Sequence, residues 1–298
     1  MEILRKIDTV SAMLVITLVA LLLFMVHDAM APAPAAAHAY FLNVTLGDAE
    51  LIVFPGDIKV MIDAGSDAKV VDALGKIISP NDASIDLAII SEPLPENIAG
   101  YAYVIDHYHI GAFLYGGRES MLQRATWQGL LLKIAAKKIP LITVGANDRI
   151  RFLGSAAGNS ITILSPDNAF NKSPDLNDAG MVLMAETEHW KALFTANIGS
   201  RVEHFLQSTR SGDLRANIIK IAQQGSNYAS GIPFLSVVDP AIAIIETGAK
   251  GIMEQASMDT LARIAGSSHA VVFQTGQKGM LEIGYDILKK RMNIVSKQ

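Results

Sequence analysis

The chain contains no cysteine, which excludes disulfide bonds, thiolate zinc sites and cysteine nucleophiles. Aromatic residues make up only 6% and charged residues only 18%, whereas half of the 298 residues are hydrophobic, enough to bury a large core. The formal net charge of −4 argues against a general nucleic-acid-binding surface, which needs a basic face. Two local basic groups are interpreted as solvated helix faces: Lys133 with Lys137 and Lys138, and Lys289 with Lys290 and Arg291.

An uncharged apolar run of 17 residues, 10–26, follows Arg5 and Lys6. This length is at the lower limit for a transmembrane helix and slightly long for the core of a signal peptide. The basic flank predicts that the N-terminus stays in the cytoplasm while the rest of the chain crosses the membrane. We favour an uncleaved anchor with the main domain outside the cytoplasm. Cleavage after the small-residue sites Ala29-Met30-Ala31 or Ala37-His38-Ala39 would instead give a secreted protein.

The predicted organisation has four parts: an anchor or signal segment at 1–30, a stiff Ala/Pro linker at 31–39, a main domain at 40–285 and a basic tail at 286–298. In the main domain, strand-rich hairpins are followed by strand–helix units, and this order occurs twice. One hairpin is predicted around the turn Pro55-Gly56-Asp57. The pattern favours an α/β protein with two mixed sheets packed face to face and helices outside.

Five stretches, in order, resemble the metallo-β-lactamase-like domain of ComEC-type competence proteins. They are Phe41–Ala49 (FLNVTLGDA), Val60–Gly65 (VMIDAG), Ile85–Ile90 (IDLAII), Asn147–Ile150 (NDRI) and Ile163–Pro166 (ILSP). The match extends to about residue 285. The resemblance implies a four-layer αββα sandwich. It also leaves nucleic acid open as a partner, since the ComEC family takes up DNA.

The superfamily binds one or two zinc ions through H-x-H-x-D-H and three later ligands. The resemblance places that motif on Ser91–Gly100, which here reads SEPLPENIAG. No family ligand is kept, although the sequence around each position is similar. The resemblance therefore implies no catalytic residue, no metal ligand and no zinc cofactor, only a vestigial pocket at the former ligand positions: Glu92, Leu94, Glu96, Asn97, Asn197, Gln223 and Gln255.

Two functions are carried forward from the sequence. The first is a catalytically inactive, membrane-tethered domain that binds or scaffolds an unknown protein partner or small ligand. The second is a phosphodiesterase-like hydrolase, related to ComEC-type DNA uptake, that uses a hard divalent cation at Glu92 and Glu96. Asp48 and Asp63 are interpreted as structural, and the His107-x-His109 pair is expected to lie outside the site.

Overall fold

A computed structural model describes residues 13–21, 36–117, 124–152, 158–167, 169–248 and 256–297. The chain divides into two units, Met1–Ala35 and Ala36–Gln298. In the first unit, residues 13–21 are helical and exposed. No helix within the described residues is both long and apolar enough to cross a membrane. The other residues of the 10–26 run lie outside the described part of the chain.

Fifteen strands are described in the second unit. In chain order they are β1 (His38–Phe41), β2 (Glu50–Phe54), β3 (Ile58–Ile62), β4 (Ser84–Ile90), β5 (His109–Tyr115), β6 (Leu141–Thr143), β7 (Arg149–Arg151), β8 (Ser160–Ser165), β9 (Val182–Glu186), β10 (Lys191–Phe194), β11 (Ile218–Lys220), β12 (Ile242–Ile245), β13 (Val271–Gln274), β14 (Met280–Asp286) and β15 (Arg291–Lys297).

These strands form two mixed sheets. The first has the order β15-β14-β1-β2-β3-β4-β5-β6, and the second has the order β13-β12-β11-β10-β9-β8-β7. A core between the sheets includes Phe41 stacked on Phe194, with ring centroids 5.9 Å apart. Each sheet also packs against its own helices through a separate hydrophobic core. The layers are therefore helix, sheet, sheet, helix. The predicted pair of mixed sheets is confirmed.

Eight α-helices are described in this unit: α1 (Lys69–Leu74), α2 (Pro95–Ile98), α3 (Tyr101–His107), α4 (Arg124–Ala136), α5 (Ser200–Arg210), α6 (Ile232–Val238), α7 (Met258–Ser267) and α8 (Thr275–Lys278). Helices α2 and α3 occupy part of the SEPLPENIAG stretch and the residues after it. Pro95 is at the start of α2, where its fixed φ and missing N–H suit a first helical turn.

Strand directions define two ends of the sandwich. β1 pairs antiparallel with β2, β2 antiparallel with β3, and β3 parallel with β4, so β1, β3 and β4 all finish at one end. β10, β11 and β12 are parallel to one another in the second sheet. We call the end where these six strands finish the site end. At the opposite end, which we call the hairpin end, β1 begins and β14 turns into β15.

Strand β15 continues the first sheet beyond residue 285. It pairs along its whole length with β14, from Met280 opposite Lys297 to Asp286 opposite Arg291. The basic group Lys289 to Arg291 therefore belongs to a hairpin turn and the first residue of a strand. The expectation that this group forms a helix face is wrong, because the turn reverses the chain after Asp286.

Candidate functional site

Loops at the site end are held together by backbone contacts that leave little space. Residue 47 is glycine with φ +83°, and a Cβ there would lie 1.9 Å from the Glu96 carbonyl oxygen. Gly100 is equally close to the Ala64 carbonyl oxygen. The Ser91 N–H and hydroxyl both donate to the buried Asp63 carboxyl group. These contacts fix the stretch 91–100 against the loops that follow β1 and β3.

The centre of the site is a buried ion pair between Lys220 and Asp48. Both side chains are 1% exposed, and the Lys220 ammonium also donates to the Ala196 carbonyl oxygen at 3.1 Å. The pair joins the two sheets, because Asp48 follows β1 and Lys220 ends β11. Burial by itself lowers the pKa of Lys220, but the charges of Asp48, Glu50 and Glu246 outweigh it and raise the pKa. The raised pKa favours the charged ammonium form of Lys220.

Two further buried carboxyl groups face this cation. Glu246 follows β12, and its Oε1 accepts the Ala49 N–H at 3.2 Å. Burial, followed by the negative charge of Asp48, raises the pKa of Glu246 to about 8. Burial and the charge of Glu246 raise the pKa of Glu50 well above its usual value, although Lys220 opposes the shift. Their proximity favours proton retention on this pair near neutral pH.

Glu92 is buried, and within the described residues neither of its carboxyl oxygens has a regular hydrogen-bond partner. Burial raises its pKa to about 7, the nearby Asn197 side chain lowers it, and the charges of Asp48 and Glu96 raise it further. A carboxyl group with this pKa is divided between its neutral and charged forms at neutral pH. Glu92 is thus a buried acid that lies beside the Asn197 side chain without forming a regular hydrogen bond to any described residue.

Amide side chains complete the site. Gln224 Nε2 donates to Asp48 Oδ1 at 2.9 Å and to Asn197 Oδ1 at 3.3 Å. Asn97 Oδ1 accepts the Asp48 N–H at 3.2 Å, while the Asn97 Nδ2 group is buried and has no partner among the residues that the structure describes. Gln223 and Gln224 have φ values of +52° and +49°, so the backbone after β11 bends sharply to present them. The amides act mainly as partners for Asp48 and for backbone groups.

The structure brings some of the residues predicted for the vestigial pocket together. Glu92, Asn97 and Asn197 lie around Asp48 at the site end, whereas Leu94 and Glu96 are partly exposed. The side chain of Gln223 bonds to the carbonyl oxygens of residues 197 and 198 at 3.2 and 3.3 Å. The predicted position Gln255 lies outside the described residues.

The structure also locates the two acids that were interpreted as structural and the histidine pair that was expected to lie outside the site. Asp63 holds Ser91, which agrees with a structural role. Asp48 has a larger part than a turn residue, since it bonds Lys220 and Gln224 at the centre of the site. His107 ends α3 and His109 begins β5, at the amino end of a strand whose carboxyl end lies at the site end. The pair is therefore outside the site.

Sequence reasoning missed Lys220, Glu50 and Glu246. Each is a charged residue within or beside an apolar strand, in the stretches IIKIA, ELIVF and IAIIE. Charged side chains are rarely buried unless they are paired. The sequence does contain one indication of this buried group. Lys220 stands in an otherwise apolar strand, and two acids, Glu50 and Glu246, stand in or beside two other apolar strands.

Zinc does not fit the residues that the site presents. Zinc prefers imidazole, thiolate and carboxylate ligands, but Leu94 has no donor atom and the residues at 97 and 197 are neutral amides. The Asp48 carboxylate is already paired with the Lys220 ammonium, which would repel a cation. In the part of the chain that the structure describes, no three His, Asp or Glu side chains converge as a metal site requires.

Comparisons with known proteins support the fold. No protein-family model matches the chain, and no curated protein matches it. The metallo hydrolase Igni18 from Ignicoccus hospitalis has 10% identity and a TM-score of 0.50, with 88% of this chain and all of that chain covered. Tm1679, a metal-dependent hydrolase of the β-lactamase superfamily, has 11% identity and a TM-score of 0.51, covering 80% of this chain and 95% of that one.

The β-hydroxylase CmlA is a third similar structure, with 8% identity and a TM-score of 0.54. The match covers 85% of this chain and 54% of CmlA, so this chain spans about half of that protein. At such low identities the likeness concerns architecture. The chain therefore shares the αββα architecture of these structures, two of which are metal-dependent hydrolases.

Proposed function

We propose that the domain is a catalytically inactive member of this fold, with a binding or scaffolding function. The observation that carries the proposal is the Lys220–Asp48 ion pair at the centre of the site end. A metallohydrolase needs a cation there that can polarise a substrate and activate water. In this chain the central cation is a lysine ammonium, which has no open coordination position for water.

Exposed apolar side chains near the site support a binding role. Tyr228 and Met258 are both 76% exposed, and Ile232 is 48% exposed. They follow two loops that are joined by the Ser257 N–H donating to the Gly225 carbonyl oxygen at 2.9 Å. Arg263 of α7 donates to the carbonyl oxygens of Ala229 and Ser230 and so holds the loop that contains Tyr228 against this helix. A polar pocket beside exposed aromatic and thioether groups suits a protein partner or a small polar ligand.

The proposal includes a location. The charge pattern of the first 30 residues supports an N-terminal anchor, with the domain outside the cytoplasm. A role beside a DNA-uptake system extends the ComEC-type resemblance, and it carries less support than the fold because the net charge of −4 does not favour nucleic acid.

Metal content of the full chain tests the proposal. The purified protein is exposed to zinc, manganese, magnesium and calcium, dialysed, and examined by elemental analysis together with assays of β-lactam and phosphodiester hydrolysis. We expect no stoichiometric metal and no turnover above a heat-denatured control. One equivalent of a specific metal, accompanied by turnover, would overturn the proposal.

Glu92 favours one alternative function. Its two unpartnered oxygens, with the Glu96 carboxyl group nearby, suit a hard cation such as Ca²⁺, Mg²⁺ or Mn²⁺ better than zinc. A hydrolase of this kind would show cation-dependent turnover that disappears in Glu92→Gln and Glu96→Gln. Glu188→Gln, at an exposed position in the β9–β10 turn, is the matched control. Normal turnover in the two site variants would exclude this function.

A further inference from the structure

The turn between β14 and β15 is an exposed apolar and basic tip at the hairpin end. We define the hairpin tip as residues 286–291, with the sequence DILKKR. Leu288 is 95% exposed and Ile287 is 50% exposed. Three cations, Lys289, Lys290 and Arg291, follow at once. A fully exposed leucine at the apex of a turn gains nothing from the fold itself.

The positive charge of the hairpin tip is largely uncompensated. Lys289 Nζ lies 3.4 Å from Asp286 Oδ2, but Lys290 and Arg291 have no ion pair within the described residues. Glu188 is an exposed acid in the β9–β10 turn, where His189 stacks on Tyr285 of β14 with ring centroids 4.2 Å apart. Against these two acids the tip presents three cations, so a net positive charge surrounds the exposed leucine.

The first strand of the domain, β1, begins beside this tip. Ala39 of β1 pairs with Ile283 of β14. A Cβ on Gly284 would lie 2.8 Å from His38 Nδ1, which places the first residue of β1 two residues before Asp286 along β14.

We propose that the hairpin tip docks on an anionic lipid surface, with Leu288 and Ile287 entering the interface and Lys289, Lys290 and Arg291 contacting lipid phosphates. Cations near an anionic membrane and apolar side chains at the headgroup boundary both favour this association. The contact turns the site end, with Asp48 and Lys220, away from the membrane. The proposal does not depend on the metal content of the site end.

Other partners suit the hairpin tip less well. Two apolar side chains cannot supply the roughly 800 Å² per partner that a stable protein interface buries, which argues against a second copy of the chain. Nucleic acid would use the cations but would leave Leu288 without a role, because phosphate contacts are electrostatic. An anionic bilayer uses both features.

A single fluorescent label tests the contact. Because the chain has no cysteine, Leu288→Cys gives one labelling site for an environment-sensitive fluorophore, and its exposure predicts little effect on folding. The full chain is reconstituted into phosphatidylcholine vesicles with or without phosphatidylglycerol. The control label is Leu132→Cys, on the exposed side of α4 and 73% exposed. We expect a blue shift at position 288 only with phosphatidylglycerol, reversed by high salt, and none at position 132.

A charge variant provides the second arm. Lys290→Gln with Arg291→Gln in the Leu288→Cys background should lower the ratio of docked to undocked protein roughly fivefold for each cation removed. Lys137→Gln with Lys138→Gln changes the net charge equally at an exposed site in another layer and should leave the ratio unchanged. An unshifted label at 288 in anionic vesicles overturns the proposal. So does a shift that follows protein concentration without lipid, or one caused equally by duplex DNA.

Discussion

The two ends of the sandwich treat charge in opposite ways. At the site end, Lys220 and Asp48 are each 1% exposed and neutralise one another, and the amide of Gln224 satisfies the remaining oxygen of Asp48. At the hairpin end, Lys290 and Arg291 are exposed and form no ion pair in the part of the chain that the structure describes, and the neighbouring Leu288 is 95% exposed. The buried charges stabilise the chain's own structure, whereas the exposed ones are available to a partner.

This contrast distinguishes two structural roles of lysine: a buried, paired charge and an exposed charge without an internal partner. Lys220 stands in an apolar strand and was overlooked, yet its ammonium bridges the two sheets. Lys290 stands in a basic run that attracts notice, yet the fold does not use its charge. A charged residue in an apolar setting thus indicates internal pairing, and a charged run beside an exposed apolar residue indicates an external contact.

The largest expected effect is the loss of the internal cation. Lys220→Met should destabilise the domain by about 3–5 kcal/mol, because Asp48 would remain buried without a counter-ion. Lys59→Met is the matched control at the hairpin end, where the partners Asp57 and Asp82 are 63% and 47% exposed. We expect about 1 kcal/mol there, because water screens those carboxylates. Denaturant unfolding of both variants measures the difference.

The double variant Lys220→Met/Asp48→Asn removes both charges. It should recover part of the stability lost in Lys220→Met, since no unpaired charge stays buried. Equal losses for Lys220→Met and Lys59→Met would contradict the distinction between the two ends.

The pH dependence of stability gives the next effect. The folded pKa of Glu246 is about 8, above the value of 4.5 expected for an unfolded chain, so folding favours the protonated form. Its stabilising contribution is complete below pH 4.5 and is lost as the pH rises through 8. Glu246→Gln should match the parent near pH 5 and exceed it near pH 8 by on the order of 3 kcal/mol. Unfolding across this range, with Glu188→Gln as control, measures the effect; parallel curves would contradict the burial of Glu246.

Much of the framework could be predicted from local pattern. The hairpin around Pro55-Gly56-Asp57 lies where it was predicted, between β2 and β3, because apolar runs bounded by a turn define it. The short helices α2 and α3 were not predicted, since neither is long enough to show a clear helical period. Strand β15 was read as a basic tail because its exposed, alternating pattern depends on pairing with β14.

The centre of the site was harder to predict. Asp48 and Lys220 are 172 positions apart, and nothing local to either residue names the other. Glu246 lies close to Lys220 and Asp48 only because β11 and β12 are parallel neighbours, so that their carboxyl ends lie side by side. The family resemblance located Glu92, Asn97 and Asn197, whereas the ion pair around which they gather required three-dimensional contacts.

Substitution of one glycine at each end would compare how tightly the backbone is packed at the two ends of the sandwich. Gly47 at the site end and Gly56 at the hairpin end both have positive φ, +83° and +89°, so the backbone strain of an alanine is similar. A Cβ at 47 would meet the Glu96 carbonyl oxygen at 1.9 Å, whereas at 56 the nearest atom is 4.0 Å away. Gly47→Ala should therefore cost about 2 kcal/mol more than Gly56→Ala in denaturant unfolding. Equal costs would mean that the loop 91–100 shifts freely.

The smallest effect on stability is expected at the hairpin tip. A small effect there would show that Leu288 does not contribute to packing within the domain. Leu288→Ser should change the free energy of unfolding by less than about 0.5 kcal/mol, because the side chain is already in water in the folded domain. The same change should weaken contact with anionic vesicles, measured by a fluorophore on Ile287→Cys, while leaving a label on Leu132→Cys unaffected. A large loss of stability in Leu288→Ser would mean that Leu288 packs within the protein. If Leu288→Ser leaves stability unchanged but reduces docking, the exposed Leu288 beside three cations acts as a contact surface for lipid.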